Sequence, residues 1–247
     1  MTKVCLIGLG RTGTEIARII MKQQDMRLVA AVCSDFSSKA GKDIGEILGL
    51  SETGIKVYTS SQMNYVLEKL KPDVFVDFSN HKASMNYLSI ISEKKAAMVI
   101  GTTGFSKTDI MRMKVLAKKN GSGILYAPNI TVGVNVMMLL SNIVSRILSD
   151  YDFEISEAHH KHKKDSPSGT ALKIADQIEE GLQYSGVKVS ESVPIHSTRA
   201  GGIIGRHKLM AAGENDKIEI IHESFNRKAF ADGALRGIRF IKGKKGY

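Results

Sequence analysis

Short apolar runs alternate with segments of helical spacing over residues 1–129, and this alternation constrains the fold more than any other feature of the sequence. Strands that alternate with helices along a chain favour a parallel sheet with helices on both of its faces. The predicted strands are KVCLIGLG (3–10), RLVAAVCS (27–34), VFVDFS (74–79), AMVIGTTG (97–104) and ILYAPN (124–129), and the predicted helices cover 12–24, 60–70, 83–95 and 106–120.

The second half of the chain has a different pattern. Helical spacing over 132–149 and 170–183 brackets DFEISEAHH (152–160), which alternates as a half-buried strand does. Turn signals such as AGG and AGEND separate the following apolar runs, which predicts a second α+β domain with an open, mixed or antiparallel sheet. The further predicted strands are 187–192, 195–200, 206–212 and 217–225, and a last amphipathic helix covers 229–241. We therefore predict domains at 1–129 and 130–227, with about 228–247 packing back on the first.

Composition and charge narrow the class of protein. The formal net charge is +10 but aromatic residues are only 6%, and no basic stretch carries interleaved aromatics, so no nucleic-acid partner is expected. The most apolar long stretch carries two asparagines and an arginine, which disfavours a membrane span. Cys5 and Cys33 lie in or at the end of apolar runs and look like buried small hydrophobes. A strand pattern at the N-terminus without a cleavage site completes the expectation of a cytoplasmic protein.

The glycine turn GLGRTG (8–13) has the spacing G-x-G-x-x-G. It follows a predicted strand, opens a predicted helix and leads into a second strand, which is the setting that a dinucleotide site requires. Glycines permit the tight turn and let the backbone approach a pyrophosphate at the helix N-terminus. This predicts a Rossmann-like domain that binds a dinucleotide; the alternative is a merely tight turn between strand and helix.

Asp35 and Lys39 bear on the choice of cofactor. A ribose-binding acidic residue is expected about twenty positions beyond the glycine turn, and Asp35 lies there, at the end of the second strand. Lys39 supplies a cation that would instead favour a 2′-phosphate, or it is an ordinary exposed loop lysine. The sequence leaves NADH and NADPH both open.

Two further strand ends carry small residues, GTTG (101–104) and APN (127–129). Ligands of open α/β sheets bind at the carboxyl ends of the strands, and small residues there leave room for a planar ring. We expect both segments to line the cofactor site, although either taken alone also fits an ordinary turn.

The segment HHKHKKDSPSGT (159–170) combines a basic cluster with a helix entrance. Backbone N–H groups of Gly169 and Thr170 would point out of the helix start and bind a carboxylate. His160 and Lys163 lie close enough along the loop to add positive donors. A histidine with a pKa near neutrality could also supply a proton.

Three other interpretations of this segment stay open. Zinc binding by His159, His160 and His162 lacks a cysteine or a further well-spaced ligand, so no metal site is predicted. Nucleic-acid binding would need a longer basic run. A solvated charge run is common, but it has no need of the helix entrance that Pro-Ser-Gly-Thr provides.

EISEAHHKHKKDSPSGTA (154–171) resembles the signature of the 4-hydroxy-tetrahydrodipicolinate reductase family, also called dihydrodipicolinate reductase. The resemblance extends over nearly the whole chain. Further similar blocks follow in family order: VDFS (76–79), VIGTTGF (99–105), APNITVGVNVMMLL (127–140), RAGGIIGRH (199–207) and FADGALR (230–236).

The resemblance implies an enzyme of lysine and diaminopimelate biosynthesis. Its members transfer a hydride from NADH or NADPH to a cyclic, imine-type dicarboxylate and form tetrahydrodipicolinate. It further implies a Rossmann domain, a mixed α/β domain and a homotetramer built through the open sheet of the second domain. A rival hypothesis is a cofactor-binding regulatory or scaffold protein with an inactive site.

Residue by residue, the resemblance makes His159 the proton donor and Lys163 the catalytic lysine. It places His160, Gly169 and Thr170, together with Arg227, at the substrate. The cofactor contacts that it implies are Gly8, Leu9, Gly10, Arg11, Thr12, Gly13, Gly101, Thr102, Thr103, Ala127, Pro128, Asn129 and Ile130, to which the position after the second strand adds Asp35 and Lys39.

The chain departs from the family pattern in two places near the cofactor. Its glycine turn has one residue between the first two glycines where the family usually has two. Cys33 and Ser34 stand where many members carry an acidic residue followed by a basic one. Asp35 and Lys39 are therefore shifted relative to the family positions.

Overall fold

The computed structural model describes residues 1–247 and separates them into two units. Unit 1 comprises Met1–Ile130 and Phe230–Tyr247, and unit 2 comprises Thr131–Ala229. Each unit has its own sheet and its own hydrophobic core.

The sheet of unit 1 has six parallel strands in the order β3-β2-β1-β4-β5-β6. The order reverses beside β1, which is the kind of switch point at which open α/β sheets bind ligands. The strands are β1 (Thr2–Ile7), β2 (Met26–Cys33), β3 (Val57–Thr59), β4 (Val74–Asp77), β5 (Ala97–Ile100) and β6 (Ile124–Tyr126).

Helices cover both faces of this sheet, as the alternating pattern predicts. Successive strand residues point to opposite faces. Val4 and Leu6 thus enter one core with helices α1 and α8, while Cys5 and Ile7 enter the other with α4 and α5. The helices are α1 (Arg11–Ile20), α2 (Ile44–Leu48), α3 (Met63–Tyr65, between a 3₁₀ turn Ser60–Gln62 and a π turn Val66–Leu70), α4 (His81–Glu93), α5 (Lys107–Asn120) and α8 (Lys228–Ile241).

The sheet of unit 2 has four strands in the order β10-β9-β7-β8. β7 pairs parallel with β8 and antiparallel with β9, so the sheet is mixed. Two helices pack on one face and enclose a single core. The elements are α6 (Val132–Ile147), β7 (Asp152–His159), α7 (Gly169–Tyr184), β8 (Ile195–Arg199), β9 (Arg206–Ala212) and β10 (Lys217–Glu223). The predicted fold class, a Rossmann-like sheet with a second α+β domain, is confirmed.

Local predictions failed in three places. VKVSES (187–192) is irregular rather than a strand, because its side chains are largely exposed and no neighbouring strand pairs with it. α2 and β3 were missed in the polar stretch after β2. They have only five and three residues, too few to show a period.

Strand β7 leads from the core of unit 2 to a cluster of buried polar groups at its carboxyl end. Its alternation buries Phe153, Ile155, Glu157 and His159 on the helix-covered face. The first two belong to the core of unit 2, whereas the last two are polar and lie at the carboxyl end of the strand. The strand therefore delivers two ionisable groups into a buried position. None of the helices of the chain is both long and apolar enough to cross a membrane.

Candidate active site

Two glycines of the turn after β1 are required by close backbone packing. Gly8 has φ +90°, and a Cβ there would lie 2.6 Å from the carbonyl oxygen of Phe78. A Cβ on Gly13 would lie 1.9 Å from the carbonyl oxygen of Gly8. Neither position therefore accepts a side chain without a shift of the main chain.

Gly10 differs from these two, because a Cβ there would meet nothing within 4 Å. It precedes the first residue of α1, and no side chain caps this helix. The first N–H groups of an α-helix have no partner within the helix, and the positive end of its dipole lies beside them. Open space beside an uncapped helix start fits the pyrophosphate of a dinucleotide, so the residues present suit such a cofactor.

The two residues after β2 that bear on the cofactor are already engaged within the protein. One carboxylate oxygen of Asp35 accepts a hydrogen bond from the N–H of Ser61 at 2.9 Å, which holds the pKa of Asp35 below its ordinary value. The ammonium of Lys39 donates to the carbonyl oxygen of Leu9, inside the glycine turn. Lys39 therefore places a positive charge at the glycine turn. Asp35 holds the 3₁₀ turn Ser60–Gln62 through its bond from Ser61.

The GTTG and APN segments lie at the ends of β5 and β6, as predicted. Gly101 lies against the ring of Phe78, since a Cβ on Gly101 would be 2.2 Å from a carbon atom of that ring. The hydroxyl of Thr102 donates to the carbonyl oxygen of Asp77 at 3.3 Å. Thr103 is exposed, and Ile130 lies in the core. In the APN segment, Ala127 donates its N–H to the carbonyl oxygen of Ile100, and Pro128 and Asn129 are half-buried. In the glycine turn, Arg11 is exposed and Thr12 is half-buried.

Sequence reasoning missed Asp77, which organises this edge of the sheet. It ends β4, between β1 and β5, and it is fully buried. Its carboxylate accepts hydrogen bonds from the N–H and the hydroxyl of Ser79, at 2.9 and 2.6 Å, and from the hydroxyl of Ser84. Burial raises the pKa of Asp77. The hydrogen bonds act in the opposite direction but do not offset burial, because all these partners are neutral.

The second cluster surrounds His159 at the end of β7. The residue is 8% exposed, and its Nδ1 lies 2.5 Å from a carboxylate oxygen of Glu157. Gly205 faces the other ring nitrogen, since a Cβ there would lie 3.2 Å from Nε2. The glycine therefore leaves Nε2 less crowded than any other residue would.

Glu157 is held by several donors. Its side chain is fully buried and accepts from both terminal nitrogens of Arg199, at 2.9 and 2.6 Å, and from the N–H of Ser168 at 3.2 Å. Burial by itself would raise its pKa, but the hydrogen bonds from Arg199, Ser197 and His159 outweigh this and hold the pKa at about 2. Glu157 is thus a buried anion at neutral pH.

Arg199 also connects this anion to the loop that carries the basic cluster. Its guanidinium donates to the carbonyl oxygen of Asp165 at 2.7 Å and to that of Thr198 at 2.8 Å. The loop over 160–168 is therefore tied to β7 through Glu157 and to β8 through Arg199.

Lys163 lies on this loop and is paired with Asp165. Its Nζ is 2.8 Å from the carboxylate. Burial would raise the pKa of Asp165, but the bond from Lys163, assisted by the backbone of Gly169, lowers it. A carboxylate therefore already lies on Lys163 and on the start of α7, which are two of the groups that the sequence assigned to a carboxylate of the substrate.

The start of α7 is well defined. Ser168 caps it by accepting the N–H of Ala171 at 3.2 Å, and the Ser166–Pro167 peptide bond before it is cis. Gly169 is exposed and Thr170 is half-buried. The helix begins where the sequence predicted it to begin.

The remaining residues of the basic segment separate by exposure. His160 is half-buried, with its ring 6.4 Å from that of His162. His162, Lys161 and Lys164, to which the sequence assigned no role, are exposed. Arg227 lies in the turn before α8, outside the Glu157 network.

His207 is a further buried group that sequence reasoning missed. It faces Glu157 across the β7–β9 register, and its ring lies edge-on to that of His159 at 5.2 Å. Burial lowers its pKa to about 3, so it is neutral. The sequence did contain a signal for Glu157, the residue opposite His207: Glu157 and His159 are two residues apart, so strand alternation places both on one face of β7.

Comparisons with known proteins cover both units. Residues 2–130 match the family model described as dihydrodipicolinate reductase, N-terminus, and residues 133–247 match the model described as its C-terminus. The chain is 37% identical to the 4-hydroxy-tetrahydrodipicolinate reductase of Methanothermobacter thermautotrophicus, over 98% of this chain and 94% of that protein. It is 35% identical to that of Methanocaldococcus jannaschii, over 99% and 94%.

Solved structures agree. A dipicolinate-bound dihydrodipicolinate reductase from Paenisporosarcina sp. TG-14 aligns with a TM-score of 0.81 and 28% identity, over 100% of this chain and 96% of that one. An amine dehydrogenase from Mycobacterium smegmatis, with a TM-score of 0.73 and 15% identity over 99% and 93%, shares the fold alone. The resemblance seen in the sequence is confirmed: the chain belongs to the dihydrodipicolinate reductase family, NAD(P)H-dependent oxidoreductases of lysine and diaminopimelate biosynthesis.

Proposed function

We propose that this chain reduces 4-hydroxy-tetrahydrodipicolinate, or the dihydrodipicolinate formed from it, to tetrahydrodipicolinate, with the proton supplied by His159. One observation carries this proposal. At the end of β7, a buried imidazole lies beside Lys163 and the start of α7, where a carboxylate is already bound. A dicarboxylate with a reducible ring needs both kinds of group.

In this proposal a carboxylate of the substrate takes the place of Asp165 on Lys163 and on the N–H of Gly169. The reaction adds one hydride and one proton across the conjugated system, and the 4-hydroxy form also loses water. The nicotinamide cofactor, held by unit 1, supplies the hydride. Negative charge then develops towards the ring nitrogen, where protonated His159 neutralises it and Lys163 stabilises it.

The charge state of His159 sets the pH dependence. Burial lowers its pKa below the ordinary value of 6.5, the bond to Glu157 opposes this, and Lys163 and Arg199 add to the lowering. A proton donor must be charged, and kcat/KM reports the groups of the free enzyme. We therefore expect kcat/KM to fall as the pH rises, with the midpoint below 6.5.

The test is an assay on freshly generated substrate with His159→Gln and Lys163→Met. We expect each to lower kcat by about 10²–10⁴-fold, because each removes a group that acts on the developing charge, while the Kd for NADH and NADPH stays unchanged. His162→Gln and Lys164→Met are matched controls on the same loop, and both residues are exposed. Normal turnover in both test variants would contradict the assigned roles. Absence of cofactor oxidation by the unaltered protein would instead favour the scaffold alternative.

We propose in addition that the cofactor is NADPH in preference to NADH. One carboxylate oxygen of Asp35, the acidic group expected to bind the ribose hydroxyls, accepts a hydrogen bond from Ser61. The ammonium of Lys39, bonded to the carbonyl oxygen of Leu9, places a positive charge at the glycine turn. Ser34, Ser37 and Ser38 add hydroxyl donors to the same loop. A cation with hydroxyl donors suits a 2′-phosphate better than a free hydroxyl.

We propose that the chain assembles with further copies of itself, as a homotetramer. One stripe of α6 is apolar but exposed: Val132, Val136, Leu139, Leu140, Ile143 and Ile147. The buried side of the same helix carries Ser141, Asn142 and Ser145 beside Val134 and Met137, so much of the apolar surface of α6 is left exposed. Light scattering of the intact chain measures the assembly, and Leu139→Glu with Ile143→Glu should reduce it to smaller species; a monomeric unaltered chain would contradict the proposal.

A further inference from the structure

We propose that Glu157 is the positioning residue for His159: it holds the ring by the Nδ1–H group, so that Nε2 is the nitrogen that exchanges a proton with the substrate. This inference rests on the proposed function of His159 as the proton donor. It assigns to Glu157 and Arg199 a part in the reaction although neither touches the reacting atoms.

The position of the hydrogen follows from the acceptor. An ionised carboxylate only accepts hydrogen bonds, and Glu157 lies 2.5 Å from Nδ1. The hydrogen of a neutral His159 ring is therefore on Nδ1, and its Nε2 carries a lone pair. Protonation adds the second hydrogen at Nε2, which a side chain at position 205 would crowd, since a Cβ on Gly205 would lie 3.2 Å from it. The same division of labour operates when a buried carboxylate orients a catalytic imidazole in hydrolases.

Arg199 is the reason that Glu157 stays ionised. Burial without charged partners favours the neutral form of a carboxyl group, and burial raises the pKa of Asp77 in unit 1. Glu157 has two bonds from the Arg199 guanidinium, which presents two parallel donors to one carboxylate. The N–H of Ser168 occupies a further acceptor position. The carboxylate thus keeps both its charge and its orientation.

The groups facing His159 come from four elements, and their effects on the imidazolium differ. Glu157 on β7 favours the charged ring, whereas Lys163 on the loop and Arg199 on β8 oppose it. His207 on β9 lies edge-on and is itself neutral. Glu157 is therefore the one member of this group whose removal makes the charged ring less stable. Replacing it by a neutral isostere should lower the pKa of His159.

The first experiment uses the unaltered protein. Nitrogen chemical shifts of ¹⁵N-histidine-labelled protein report which ring nitrogen carries hydrogen, and the signal missing from His159→Gln assigns His159 among the seven histidines. We expect the Nδ1–H tautomer above the pKa. The Nε2–H tautomer would overturn the inference, and this measurement needs no variant at Glu157.

The second experiment compares Glu157→Gln with the unaltered protein. We expect a lower pKa for His159 in the nitrogen titration and a parallel shift of the alkaline limb of kcat/KM to lower pH. We expect kcat to fall by about 10–100-fold, the range seen when an outer-shell partner of a functional histidine is replaced. KM for the cofactor should be unchanged. Glu157→Asp keeps the charge and should retain more of the His159 pKa than Gln does.

Glu180→Gln is the matched control, because it makes the same chemical change at an exposed position of α7. If Glu157→Gln folds but leaves the His159 pKa and the pH profile unchanged, the positioning role is wrong. If His159→Gln retains full activity, the proposed role of His159 as proton donor fails, while the tautomer and the pKa shift still test the Glu157–His159 pair. A purely structural role would lower kcat or stability without moving the pH profile.

Discussion

Units 1 and 2 each contain a candidate anion-binding site, and the two sites consist of different chemical groups. In unit 1 the glycine turn and the uncapped start of α1 offer backbone N–H groups, and Gly10 leaves the space beside them open. In unit 2 the corresponding groups are side chains with full charges: Lys163 pairs with Asp165, and Arg199 pairs with the buried Glu157. A backbone site is sensitive to added atoms, whereas a site of charges is sensitive to removed charges.

The two helix starts show the same contrast. At α1, Gly10 leaves the first turn without a side-chain cap. At α7, the hydroxyl of Ser168 caps the helix, and Asp165 lies on Lys163 and the backbone of Gly169. The start of α1 thus has open space beside it, whereas the start of α7 has a carboxylate nearby that pairs with Lys163. In the proposed function a carboxylate of the substrate would replace Asp165 there.

Buried carboxylates differ between the units for the same reason. Asp77 and Glu157 are both fully buried. Burial raises the pKa of Asp77, whose partners are hydroxyl and N–H groups, but the pKa of Glu157 is about 2, because Arg199 and His159 stabilise its anion. Charged partners therefore lower the pKa of Glu157, whereas neutral partners leave the effect of burial on Asp77 dominant.

The largest effect that would test this comparison is expected at Gly13. Gly13→Ala places a methyl group 1.9 Å from the carbonyl oxygen of Gly8, so the turn must move. We expect a loss of about 1–3 kcal/mol in the free energy of unfolding and the loss of measurable NADPH binding. Denaturant unfolding and NADPH fluorescence measure the two effects.

Gly10→Ala is the control for that experiment, because its methyl group meets nothing within 4 Å. The stability should change by no more than about 0.5 kcal/mol, while cofactor binding weakens by about tenfold, since the methyl group occupies the space of the pyrophosphate. Equal loss of stability in the two variants would show that the glycines serve the same purpose, and would break the distinction between packing and ligand space.

The counterpart in unit 2 is the Glu157→Gln experiment described above. It removes a charge and adds no atoms to the packing, and its expected effect on kcat is intermediate, about 10–100-fold. The comparison predicts that cofactor affinity is spared. A weakened Kd for NADPH in this variant would show that the two sites are not independent in their chemistry.

The smallest effect is expected at Lys39, the one charged side chain of the unit 1 site that contacts the glycine turn. Lys39→Gln should weaken the Kd of NADPH by about tenfold and that of NADH by less than about twofold, because only NADPH carries a 2′-phosphate. Titration of intrinsic or cofactor fluorescence measures both. Lys42→Gln, an exposed lysine paired with Glu46, is the control. Equal weakening of the two cofactors would place Lys39 at the pyrophosphate instead.

Much of the cofactor edge was predictable, since periodicity and the glycine turn are local signals. The sequence predicted β1, β5 and β6 with carboxyl ends three or four residues too far along the chain, and the carboxyl ends of parallel strands share one edge of a sheet. Asp77 escaped notice because its importance depends on the order of the strands, which brings β4 between β1 and β5. The hydroxyl of Thr102 likewise turns inward to Asp77, a direction that no local pattern specifies.

In unit 2 the sequence identified His159, Lys163 and the start of α7, because they are neighbours along the chain. It did not identify the partners of His159. Arg199 and His207 come from strands about forty or more positions further along, and only the register of β7 with β8 and β9 places them beside Glu157. Alternation on β7 alone would have placed Glu157 on the same face as His159.

The sequence by itself determined the family, the fold class, the glycine turn and the basic loop with its helix entrance, since each of these depends on spacing along the chain. Tertiary structure alone decided which ionisable groups are charged. The state of Glu157 depends on a guanidinium that strand pairing brings within 2.6 Å of it, and the tautomer that we propose for His159 depends in turn on Glu157. Electrostatic energies depend on distance in space rather than along the chain. The segment HHKHKKDSPSGT therefore predicted a candidate proton donor among its histidines, but it could not predict the protonation state of His159.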